Sequence, residues 1–406
     1  MSPMIRLILL LALFLPNPLL AQSQFELDYL VELQPKHDQA LVTVQIGAGA
    51  ELISRLRFRL KPGIHTFLSA EGEFSEAKNS IVWTPPKNGG AIVFTSKITH
   101  DRGNGAFDAM MAESWAIFRG DDLIPAVNMR AKKGANSRAK LRFKLPAGWQ
   151  RTETGWPRVS KEIYVIDNPE RRFDRPVGWI MAGDFGSRAE QFGATRVVVA
   201  APKGQRLHRM DVVAFLGWVW PELKSAFGDS PEKLLIVGAE DPMWRGGLSG
   251  PNSLFLHADR PLVSENGTSA LLHELVHSFT RIRGDKKDDW IAEGLAEFYA
   301  IELLYRSGGI TDERYQRIRK WLAHWSQDVK KLRLARSSGK TTAAAVLLLQ
   351  DLDKEIQVAT KQDKTLDDVT RLLIKKRVVS LNDLHEAVMQ VMGRKSVVLQ
   401  SGLLGA

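Results

Sequence analysis

The chain has 406 residues, of which 44% are hydrophobic and 25% charged. That is a globular composition, long enough for two or three domains and a sizeable core. The formal net charge is +10 and there is no cysteine, which excludes disulfides, thiolate metal sites and a lipid-modified cysteine.

The opening residues, MSPMIRLILLLALFLPNPLLAQSQ, place Arg6 ahead of an apolar run that Pro16 and Pro18 interrupt, with Ala21 as a small residue for cleavage. This layout predicts a signal peptide over residues 1–21 and an exported mature chain, periplasmic or secreted. No other segment approaches the ~18 apolar residues a membrane span needs. Without Arg6 the charge is about +9, which favours anionic surfaces or acidic substrates. The basic clusters RYQRIRK, KKLRLARSSGK and IKKRVV read as solvated helix faces. No zinc knuckle, aromatic RNA-binding strand or basic zipper accompanies them, so nucleic acid is not an expected partner.

Residues 22–185 read as a β-rich N-terminal domain. FELDYLVEL, ALVTVQIGA, RLRFRLKPG, AIVFTSKI and AKLRFKLPAGW alternate apolar and polar residues between Gly, Pro, Asn and Asp clusters, the pattern of an antiparallel sandwich or barrel. No residue here stands out chemically. Over residues 186–310 the pattern becomes mixed. TRVVVAAP, EKLLIVGA and the shorter SLFLHA read as strands, and LHRMDVVAFLGWVWPELKSAFGD as helix with Pro221 marking a kink or a boundary. Two helices follow, around 268–283 and 288–306. Residues 311–406 carry helical periodicity in DERYQRIRKWLAHW, TTAAAVLLLQDLDKEIQ, TLDDVTRLLIKK and LNDLHEAVMQVM. The expected class is multidomain α+β: a β-sandwich-like domain, a central domain and a C-terminal helical domain.

Within TSALLHELVHSFTRIR, His273-Glu274-Leu275-Val276-His277 has the pattern H-E-x-x-H. Histidines four apart share one helix face, so both can meet one tetrahedral zinc. Glu274 lies about 100° further round, free to act on a water as general base. Thr268 or Ser269 can cap this helix. Downstream, DDWIAEGLAEFYAIELLYRSGG forms a second helix, with Asp288 or Asp289 as cap. Glu293 and Glu297 share one of its faces, and neither suits an apolar helix unless it is paired. The turn RGDKKDD lets the two helices lie together, and Ala292, Gly294 and Ala296 would permit close approach. Glu293 is the expected third ligand and Glu297 the partner of a histidine's second nitrogen, with the reverse assignment open. One zinc per chain is therefore expected on His273, His277 and Glu293.

HELVHSFTRIR…WIAEGLAEFYA resembles the glycyl aminopeptidase family, relatives of the broader aminopeptidases in the gluzincin group of zinc metallopeptidases. LPAGW, FDRPVGW, RGGLSGPNSLFLHADR and LLLQDLDKEIQVATKQDKTLDDVTRLL are similar to further segments in the same order. The resemblance implies a β-rich N-terminal domain, a thermolysin-like catalytic domain and following helices. It also implies zinc, the same three ligands and Glu274 as base.

Three departures accompany it. Relatives carry a Gly-Gly-x-Glu motif, on a loop before the cleft's edge strand, whose glutamate grips the substrate's free amine. Here the substrate-binding segment reads Gly246-Gly247-Leu248-Ser249. An ammonium there loses a charge-assisted partner, and Glu240 and Asp241 are the nearest alternative acids. Relatives also place an oxyanion-stabilising tyrosine ahead of a small-residue helix, and SSGKTTAAAVLLLQDL has none. Tyr299, Tyr305, His324 and, foremost, Tyr315 and His385 are the substitutes. Finally, the helical C-terminal residues leave no room for the PDZ-type domain found in relatives. The expected function is a zinc metallopeptidase, amino- or endopeptidase, acting on peptides or proteins with altered recognition. The rival is a catalytically weak or inactive zinc-binding module that holds peptides or surfaces.

Overall fold

The computed structural model describes residues 24–168, 171–228 and 230–405, so the expected signal peptide lies outside the described residues. Among them, no helix is long and apolar enough to cross a membrane.

The N-terminal half is built from three sheets. In the seven-stranded sheet, Gln24–Gln34 buries Phe25, Leu27, Tyr29, Val31 and Leu33 on one face, as its alternation requires. This strand pairs antiparallel with Gln39–Ile46 but parallel with Asn136–Lys144. The expected antiparallel sandwich is thus corrected at its centre: alternation tells which face is buried, not which strand lies alongside. A four-stranded sheet built on Ile53–Arg59 shares the same core.

The five-stranded sheet, containing Trp115–Arg119 and Trp179–Gly183, lies between that core and the next layer. Phe118, Ile180 and Ala182 pack into the N-terminal core, while Ile117, Trp179 and Met181 pack the opposite way. Burial on both faces explains why Trp179–Gly183, WIMAG, shows no alternation.

The next sheet has five strands: β1 (Phe185–Phe192), β2 (Thr195–Pro202), β3 (Lys233–Ala239), β4 (Gly247–Gly250) and β5 (Ser253–His257). Their order is β1-β2-β3-β5-β4, with β2, β3 and β5 parallel and both edges antiparallel. β1 and β4 are not legible as strands in the sequence, one because it is polar and the other because it is short and glycine-rich.

Helix α1 (Arg209–Phe227) runs unbroken through Pro221, which lies on its exposed side. Then come α2 (Ala270–Thr280), α3 (Asp289–Arg306), α4 (Asp312–Trp325), α5 (Lys340–Ala359), α6 (Leu366–Lys376) and α7 (Leu381–Met392). The helices after residue 311 share one hydrophobic core with β2, β3, β5 and helices α1 to α3, so there is no boundary in the core near residue 310.

Helix α3 is held from several sides. A Cβ on Gly294 would lie 2.9 Å from Ala345 Cβ and 3.1 Å from Leu349 Cδ1, so the close approach this glycine permits is to α5, not to α2 as expected. Tyr299 donates to Asp367 of α6, which Arg306 also binds. Asp288 occupies the cap position without bonding its own helix. Its buried carboxylate instead accepts from Arg333 Nε at 2.7 Å and from the Leu381 N–H at 2.9 Å, tying the start of α3 to α7. Replacing it leaves those donors without an acceptor, so Asp288→Ala should cost about 2 kcal/mol. The check is the urea midpoint of the variant against wild type at equal m-value.

Candidate active site

Helix α2 starts at Ser269, whose hydroxyl accepts from the Leu272 N–H at 3.2 Å. It ends at Arg281, whose φ of 50° turns the chain out of the helix. Leu271, Leu272, Leu275, Val276 and Phe279 are buried in the core, which fixes the rotation of the helix and leaves His273 and His277 at its polar edge. Helix α3 packs alongside and presents Glu293 and Glu297 to them.

The structure brings together one donor atom from each of His273, His277 and Glu293, all within 4.8 Å of one another. His273 Nε2 and His277 Nε2 are 3.2 Å apart. Glu293 Oε2 lies 3.5 Å from His273 Nε2, and Oε1 lies 3.5 Å from His277 Nε2. Two donors on one tetrahedral zinc, each about 2.0–2.1 Å from it, lie about 3.4 Å apart. The donor set and spacing therefore fit that ion. Glu297 is placed differently: its Oε2 is 2.9 Å from His273 Nδ1, the ring nitrogen facing away from the cluster. That contact puts the hydrogen of the neutral ring on Nδ1 and leaves the Nε2 lone pair for the cluster.

Charge balance in the cluster is tight. Burial disfavours a proton on His273, yet hydrogen bonds to Glu293 and Glu297 and the charges of Glu297 and Glu274 outweigh it, pushing the imidazole up to about 10. Burial also disfavours the charged form of Glu293, but the two imidazoles hold its carboxyl well below the usual carboxylate range. Without a metal ion, a proton supplies the positive charge that the carboxylates demand.

A cleft of about 730 Å³ runs past this cluster. β4 forms one border as the last strand of its sheet. It is itself the edge strand, not a loop before it. The His257 N–H donates to the Gly246 carbonyl at 3.0 Å, and antiparallel alternation then turns the backbone groups of Gly247 and Ser249 toward the open edge. Glu274 lies under the strand: a Cβ on Gly247 would sit 2.8 Å from Glu274 Cγ and 3.2 Å from its Oε1. Leu248 and Ser249 line the cleft.

Other expected participants lie elsewhere. Tyr315 accepts from Gln350 and donates to Glu302 at 3.0 Å, within the α3–α5 contact. His385 sits on α7, its pKa lowered by burial and by Lys395. Tyr299 and Tyr305 donate to Asp367 and Asp312, and His324 is exposed on α4. None of the five lines the cleft. Glu240 pairs with Arg206, and Asp241 with Arg245 and His257, so neither reaches it. Conversely, the N-terminal half contributes Arg119, Asp121, Asn168 and Arg171 to the cleft wall. The sequence reading missed them, and the only signal was the charged run RGDD closing an apolar strand.

No protein-family profile matches the chain, and no curated protein matches it. Among solved structures it is similar to an aminopeptidase N family protein from Idiomarina loihiensis, at 15% identity and TM-score 0.63, over 91% of this chain and 71% of that one. It is also similar to an M1 zinc metallopeptidase from Deinococcus radiodurans, solved as a mutant bound to a Tyr-Ser-Ala substrate. That match has 17% identity and TM-score 0.61, over 94% of this chain and 93% of the other. A two-domain M1 zinc metallopeptidase mutant bound to L-arginine gives 16% identity and TM-score 0.62, with the same coverage. The chain thus has the α+β fold of the M1 zinc metallopeptidases, which agrees with the gluzincin resemblance at the level of fold.

The charge cluster predicts a pH signature in the metal-free protein. His273 rises from its ordinary 6.5 to about 10, so its stabilisation is complete below pH 6.5 and is lost as pH climbs through about 10. Glu293 is depressed from 4.5, so its stabilisation is present above that value and is lost as pH falls through the folded pKa. The denaturation midpoint of chelator-treated protein should therefore fall between pH 6.5 and 10, and His273→Ala should flatten that fall.

Proposed function

We propose that this chain is an exported zinc metallopeptidase of the gluzincin kind, in its glycyl aminopeptidase branch. One zinc is held by His273, His277 and Glu293. The observation that carries the reading is the convergence of those three donor atoms within 4.8 Å in a cleft bordered by an open sheet edge. Two histidines and one carboxylate leave a tetrahedral ion one further position. Zinc there supplies Lewis-acid activation of a water molecule and of the scissile carbonyl. Export rests on the signal-peptide layout of residues 1–21.

An extended peptide adds to β4 through the outward backbone groups of Gly247 and Ser249. Glu274, beneath that strand, removes the proton of the attacking water and delivers it to the leaving nitrogen as the C–N bond breaks. Glu297 holds His273 in the tautomer that keeps Nε2 available. Ser249 offers a substrate amine no charge, and the nearby acids Glu240 and Asp241 are held by arginines, so a free amino terminus is not required.

The second reading is a zinc-binding module without turnover. It is favoured by one observation, that no tyrosine hydroxyl lines the cleft among the described residues. Metal analysis and peptide hydrolysis separate the two. Zinc should be lost in the His273→Ala, His277→Ala double variant. Glu274→Gln should keep its zinc and lose at least about a thousandfold in turnover, within the range for a general base acting at a single reacting centre. Wild-type hydrolysis that survives Glu274→Gln undiminished refutes the mechanism. Wild-type protein that binds zinc but cleaves nothing in a peptide library selects the binding module.

A further inference from the structure

The cleft is lined by four carboxylates, those of Asp121, Glu274, Asp289 and Glu293, and by four arginines. The arginines are Arg119, Arg171, Arg281 and Arg283. Asp121 Oδ2 accepts from the Gly178 N–H at 2.9 Å and lies 3.4 Å from Arg119 Nη2, and Asp289 Oδ2 accepts from the Ser337 N–H at 2.8 Å. Glu293 is committed to the two imidazoles.

Arg119 is placed by its strand and by Trp179. It ends the strand Trp115–Arg119 directly opposite Trp179, with its guanidinium 5.9 Å from the centre of the Trp179 ring. Trp179 Nε1 in turn donates to the Leu248 carbonyl of β4 at 2.7 Å. The guanidinium therefore stands beside the strand along which a peptide would lie. A guanidinium has five N–H donors. Here Nη2 reaches Asp121 Oδ2 at 3.4 Å, the outer limit of a hydrogen bond, and Nε has no partner although it is buried. The side chain is 28% exposed, so its outer face is open to the cleft. A fork of donors whose one carboxylate partner lies at the limit of a hydrogen bond can take a second, better-placed anionic acceptor.

We propose that Arg119 binds a carboxylate of the substrate, so that the cleft selects acidic peptides rather than peptides with a free amine. This rests on the reading of the cleft as a peptide site. The carboxylate comes either from an Asp or Glu side chain or from the substrate's carboxyl terminus, and the test separates the two sources.

Binding is measured by titration calorimetry on the zinc-loaded full mature chain carrying Glu274→Gln, which removes turnover from the readout. One arm uses an acetylated, amidated tetra-alanine peptide with a single aspartate walked through its four positions, each compared with its asparagine counterpart. The other compares acetylated tetra-alanine with a free carboxyl end against the same peptide amidated. One arm should show the carboxylate form binding about 10- to 100-fold tighter, the range for a charge-assisted hydrogen bond. Adding Arg119→Gln should bring that ratio to within about threefold of unity. Arg119→Lys keeps the charge without the fork, should give an intermediate ratio, and decides the question if the glutamine variant does not fold. Equal binding of acid and amide forms in both arms, no binding of any form, or a ratio unchanged in either Arg119 variant overturns the proposal. Wild-type protein that prefers the carboxylate but hydrolyses nothing leaves this proposal standing and removes the peptidase; hydrolysis without the preference does the reverse.

Discussion

Four ionisable side chains, His273, His277, Glu293 and Glu297, meet on two helices that are otherwise packed into an apolar core. Such groups persist inside a fold only where each finds a counter-charge or a hydrogen bond. Here the two carboxylates bracket one imidazole: Glu297 takes its Nδ1 and Glu293 faces its Nε2. The rest of the helical half serves to hold that geometry. Ser269 and the buried leucines set the rotation of α2, while Gly294, Tyr299 and Asp288 fix α3 against α5, α6 and α7.

The second constraint is the seam between the β-rich half and the sheet that carries the cleft. A Cβ on Gly178 would lie 2.5 Å from Ser253 Oγ and 2.6 Å from the Pro251 carbonyl, so at this point only a glycine, with its φ of 82°, lets the chains approach. Trp179 follows at once, bonding Ser253 through its N–H and Leu248 through its indole. The edge strand β4 and the cleft wall are therefore positioned by the same few residues. The β-rich half acts as part of the site rather than as an appendage to it.

The helical part of this architecture was legible because a 3.6-residue period and i, i+4 spacing are local properties. His273, His277, Glu293 and Glu297 declare their shared faces within a few turns of sequence, and the glutamates stand out on an apolar helix. What the sequence hid is non-local. The parallel pairing of Gln24–Gln34 with Asn136–Lys144 leaves no mark on either strand. WIMAG shows only that it is apolar, not that two layers bury it. Arg119 closes an ordinary strand, and its place in the cleft depends on Trp179 and Leu248, both distant in sequence. Tyr315 and His385 were candidates by residue type alone, and the packing of α4 and α7 takes them away from the cleft.

The glycine contact between α3 and α5 bears on how the chain is completed. All three donors and Glu297 precede residue 298, yet α3 rests also against α5, α6 and the start of α7. A chain truncated before Lys340 would contain every side chain of the cluster and still lack the partners of Gly294 and of the Tyr299 hydroxyl. Its α3 would lack the contacts that aim Glu293. In such a protein, damage at the C-terminus registers as a lesion of the His273–His277–Glu293 cluster, which lies wholly before residue 340.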